Sequence, residues 1–92
     1  MNKYDQKQSA SIDIGEITYK KMRDFIYKEN LCHRDLVYLH PATFDHLIIE
    51  SKKIFGDIYL PFQISGVEIL EDETVRAGKL KTGIDKSVIY RF

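Results

Sequence analysis

The chain has 92 residues, with 14 basic side chains against 14 acidic ones and a single cysteine. That length makes one domain, with little room for both a core and a deep substrate pocket. The charge balance takes away the broad positive field that favours nucleic acid or an anionic membrane, and a lone cysteine cannot close an internal disulfide.

Residues 1–11, MNKYDQKQSAS, are polar, with Tyr4 as the one large anchor. They are expected to be a tail or docking arm ahead of a single α+β domain over 12–92. They lack the apolar h-region of a signal peptide, and no run approaches the roughly 20 apolar residues of a membrane span. The expected location is therefore the cytoplasm, or a virion if the protein is viral, with no membrane partner.

From Asp13 to Glu29 the period is helical, with Ile14, Ile17, Met22, Phe25 and Ile26 as the apolar stripe. Asn30 is the stop. Leu36, Val37, Tyr38 and Leu39 read as a short, largely buried strand. The helix Pro41–Phe55 is the best-marked element. Pro41 suits a first helical position, because its missing N–H would be left unpaired there anyway. His40 takes the capping position, and Phe44, Leu47, Ile48, Ser51, Ile54 and Phe55 recur at core spacing, with Ile49 off the stripe. Gly56 closes the helix.

After Gly56 the chain turns to strands. DIYLPFQI is extended but interrupted by Pro61, which suits an edge strand. GVEIL alternates, with Val67 and Ile69 on one side and Glu68 and Leu70 on the other. KLKTGI and SVIYRF are expected to form a closing hairpin around Asp85–Lys86. The expected fold is α+β, two helices on a small mixed or antiparallel sheet in the order α-β-α-β-β-β.

Cys32 and all three histidines, His33, His40 and His46, fall within fifteen residues, a cluster that invites a metal or catalytic reading. Spacing argues against both. Adjacent Cys32 and His33 chelate poorly, and His40 and His46 stand about 240° apart around a helix and about 9 Å along it. His46 and Glu50 share a face at i, i+4, which makes at most a two-ligand surface pair. Cys32, His33 and Asp35 are suitable types for a nucleophile, base and acid, but they lie in line on one short linker. A helix cap for His40 and solvated positions for His33 and His46 are the simpler assignments. No catalytic, cofactor-binding or metal-binding residue is assigned, and no enzyme activity is expected.

Glu68, Glu71, Asp72 and Glu73 form an acidic turn suited to a basic partner or, more plainly, to solvent. Lys20, Lys21, Arg23 and Lys28 on the first helix are interleaved with Asp13, Glu16, Asp24 and Glu29, which disfavours nucleic acid.

His40, Pro41, Thr43, Phe44 and Leu47, followed by Gly66, Val67, Ile69, Asp72 and Gly78, make a pattern over Asp35–Ile84. It resembles a strand–helix–strand module in the major capsid proteins of tailed phages, and short uncharacterised phage and prophage proteins. His40 stands where that family usually has Asn. The resemblance implies a viral or mobile-element origin and a related local fold. It does not extend to a shell-forming subunit, which is several times longer.

Six Tyr and five Phe exceed what so small a core needs, and Tyr favours interfaces because it joins an apolar face to a polar tip. Tyr90, Arg91 and Phe92 are types enriched at interface hot spots, and Tyr59 and Phe62 are counted with them. The expected function is a small non-enzymatic phage-type protein acting through protein–protein contact, as a homo-oligomer associated with the virion or its assembly. The alternative is a host-directed inhibitor that binds a cellular protein through the acidic turn.

Overall fold

The computed structural model describes residues 11–84. Two helices, α1 (Tyr19–Lys28) and α2 (Pro41–Phe55), accompany strands β1 (Asp35–Leu39), β2 (Gln63–Ile64), β3 (Val67–Glu71) and β4 (Leu80–Ile84). The strands form one mixed sheet in the order β2-β3-β1-β4. Central β1 runs parallel to β3, with Val37 opposite Ile69, and antiparallel to β4, with Leu39 opposite Leu80. The fold class is α+β, with two helices and a four-stranded mixed sheet.

The strand alternation decides which face is covered. Val37, Leu39, Val67, Ile69 and Leu80 form one cluster with Met22 and Ile26 of α1 and Leu47 of α2, so both helices pack on that face. The opposite side chains, Leu36, Tyr38 and Leu70, are half-buried. Tyr38 lies across Gly83, where an added Cβ would sit 2.9 Å from the ring.

The first helix begins six residues later than its periodicity suggests. Asp13 accepts the Gly15 N–H at 2.8 Å and Gly15 sits at φ +85°, which turns the chain before any helix starts. Thr18 then caps α1 by accepting the Lys21 N–H. Ile14 and Ile17 still pack against the core, but from the preceding loop. Ser11 is exposed, and Ile12 is already tied to β4 by paired backbone bonds with Leu80 of 2.7 and 3.0 Å.

In α2 the expected cap is present: His40 Nδ1 accepts the Ala42 N–H at 3.1 Å, and the His40 carbonyl accepts from Phe44. The helical stripe is buried at Leu47 and Ser51, whereas Ile54 and Phe55, in the last turn, are exposed. Only Gln63–Ile64 of DIYLPFQI joins the ladder; Pro61, without an N–H to give, stays outside it. Ser65 and Gly66, at φ +52° and +83°, make the two-residue turn into β3. Residues 1–10, the expected SVIYRF strand and its turn lie outside the described residues. No helix among the described residues is long and apolar enough to cross a membrane.

Candidate functional site

The Cys32–Glu50 stretch is used for architecture. Cys32 donates its N–H to Asp35 Oδ2 at 2.7 Å, and the Asp35 N–H returns to the Cys32 carbonyl at 2.8 Å, closing the turn before β1. Asp35 is thereby engaged with backbone and not with His33, which is exposed. Glu50 Oε1 accepts the Tyr19 N–H at 2.7 Å and so caps α1 from the neighbouring helix, while His46 faces solvent. Among the described residues no group of three or more His, Cys, Asp or Glu side chains is placed to hold a metal ion.

The acidic turn is divided. Glu68 lies half-buried on the sheet face away from the helices, whereas Glu71 and Glu73 are exposed. Asp72 accepts from the Thr74 hydroxyl at 2.6 Å and the Thr74 N–H at 2.9 Å, and it approaches Lys81 at 3.5 Å. Those hydrogen bonds, the hydroxyl first, hold its carboxyl below the ordinary value of 3.8.

A different arrangement gathers around the end of α2. Gly56, at φ +87°, ends the helix with its N–H on the Lys52 carbonyl. On either side of it Ile54 is 54%, Phe55 56%, Tyr59 80% and Leu60 81% exposed. Beside them is an open groove of about 310 Å³. Its aromatic lining comes from Tyr19, Phe55, Tyr59 and Phe62, and its polar lining from Asp57 and Gln63. Tyr19 and Phe55 meet edge to face, with centroids 4.9 Å apart at 65°, as two walls of the groove.

Phe62, expected at an interface, is a core residue only 5% exposed; it packs edge-on against Phe44 at 5.9 Å and offers the groove only its floor. Tyr59 stands open at the rim. Tyr90, Arg91 and Phe92 lie outside the described residues. Sequence spacing missed Phe55, which it assigned to the core, and Tyr19. The available signal was Gly56: a helix ending there places Phe55 in its last turn.

A larger hollow of about 420 Å³ lies at the end of α1, lined among others by Arg23, Asp24, Asn30 and Ser65. Its polar groups have local explanations. Arg23 and Asp24 face each other at 3.9 Å, Asn30 takes the left-handed conformation that ends α1, and Ser65 belongs to the β2–β3 turn. The smaller groove is the better candidate because four aromatic side chains line it, against the exposed Tyr27 alone in the larger hollow. No family model matches the chain, and neither a curated protein nor a solved structure shows significant similarity to it.

Proposed function

We propose that this protein is a non-enzymatic contact module that associates with copies of itself through the aromatic groove at the end of α2. The observation that carries this reading is the exposure of Phe55 and Tyr59 within one groove, with their chain neighbours Ile54 and Leu60 exposed as well. Large apolar side chains left exposed around a groove mark contact sites. Aromatic anchors beside a rim of Asp57 and Gln63 match the composition of an interface centre and its edge. On the resemblance over Asp35–Ile84, the module is of phage type and its assembly belongs to a virion or to virion construction.

A host-directed role through the acidic turn has less support, since Asp72 is spent on Thr74 and Lys81 and Glu68 lies on the sheet face.

Light scattering behind size exclusion tests the proposal. The wild-type mass should exceed the 10.8 kDa of one chain and rise with concentration. The doubly substituted Tyr59→Ser, Leu60→Ser chain should return to one-chain mass with its circular dichroism unchanged, because both side chains are exposed. A wild-type monomer at high micromolar concentration would refute self-association.

A further inference from the structure

Resting on the self-association reading, we propose that the groove of one copy receives the Tyr90-Arg91-Phe92 run of a second copy, with the Arg91 guanidinium against the aromatic walls and opposite the Asp57 carboxylate. Three observations converge on it. Among the described residues Asp57 is the only groove-lining side chain charged at neutral pH, and the walls around it are aromatic. A site of that composition selects a cation that is also flat and weakly hydrated: a guanidinium stacks on ring faces, and its fork of N–H donors matches a carboxylate. Arg91 is the only basic residue in the chain with an aromatic residue on each side, so the segment that carries it also brings apolar surface for the exposed Phe55, Tyr59 and Leu60.

Placement supplies the third. The groove adjoins β2, through Gln63, and residues 85–92 follow β4 in the chain. Strands β2 and β4 are the two outer members of the order β2-β3-β1-β4, three strand spacings or about 14 Å apart. Arg91 is seven residues beyond Ile84, a reach of at most about 24 Å. Socket and insert thus start from opposite edges of the sheet. A contact between copies joins one to the next head to tail; the same reach also spans the sheet to the groove of its own copy, and mixing of charge-reversed variants separates the two.

Charge reversal tests the pairing on the full chain. Asp57→Arg and Arg91→Asp should each reduce the scattering mass to 10.8 kDa. An equimolar mixture of the two variants should recover the wild-type mass, because the socket of each variant then meets an insert of opposite charge on the other. The milder Asp57→Asn should weaken association roughly tenfold. Asp57 is exposed, so its substitutions leave the fold intact by circular dichroism.

Single variants that stay monomeric when mixed would overturn the pairing between copies, including the case in which the run folds back on its own chain. If both single variants keep the wild-type mass while Tyr59→Ser, Leu60→Ser abolishes it, this occupant is wrong and self-association through the groove stands. A wild type that is monomeric throughout removes both.

Discussion

Ser51 is the buried polar side chain whose Oγ has no hydrogen-bond partner among the described residues, although it lies in the middle of α2 at zero exposure. Withdrawing a hydroxyl from water without a partner costs about 1–3 kcal/mol, so Ser51→Ala should leave the protein as stable or raise its stability by about 1 kcal/mol. Leu47→Ala, one turn earlier, removes side-chain volume from the core cluster and should cost about 2–5 kcal/mol. Urea unfolding of both variants measures the contrast. A Ser51→Ala chain as damaged as Leu47→Ala would mean that the hydroxyl has a partner that matters. Ser65 is the complementary case. It holds φ +52° in a two-residue turn that suits Asn or Gly far better, and Ser65→Asn should raise stability by about 1 kcal/mol, read as a higher melting temperature.

The contrast between the two helices shows what was readable in advance. Everything that sets the ends of α2 is local: His40 as cap, Pro41 at the first position and Gly56 directly after the last. Its bounds could therefore be read from residue types. The start of α1 has a local cap in Thr18, but it also depends on Glu50, 31 residues from Tyr19, and on an Asp13–Gly15 turn that interrupts an otherwise helical spacing of isoleucines. Glu50→Ala should destabilise the domain by about 1–2 kcal/mol, and Glu50→Gln, which keeps an acceptor, by less, both read from urea unfolding. Equal losses would mean that the charge, and not the acceptor, is what matters. Strand alternation was legible in Val67 and Ile69, and the sheet was expected to be mixed or antiparallel. That β1 lies between a parallel and an antiparallel neighbour depends on pairings between distant segments, which no window of sequence contains. The groove was half legible for the same reason. Tyr59 was named from its type, but Tyr19 reaches it only because α1 begins beside the end of α2.

For the molecule as a whole, two surface carboxylates link stability to pH. Asp13 is held below 3.8 by the Lys79 ammonium, which donates to it at 2.7 Å, then by the Gly15 N–H, with Lys79's charge adding to both. Asp72 is held down by Thr74 and, to a lesser degree, Lys81. A carboxyl more acidic in the folded state than in the unfolded chain stabilises above its unfolded value, and that contribution is lost as pH falls through the folded one. Stability should therefore hold near pH 5 and decline progressively below about 3.8, less steeply in Asp13→Asn and Asp72→Asn; thermal melts across that window decide it. The connection from β3 to β4 carries a different consequence. The Asp72 N–H is given to the Leu39 carbonyl, Val75 is sunk at 2% exposure, and the Gly78 N–H reaches Thr43 Oγ1 at 2.9 Å. A span stitched down at three points behaves as masonry, although its composition is that of string. Trypsin should spare its Arg76 and Lys79 in the folded domain, chymotrypsin should make its first cut within the described residues after Tyr59, and a foreign peptide spliced beside Val75 should be refused where one spliced at 59–60 is carried.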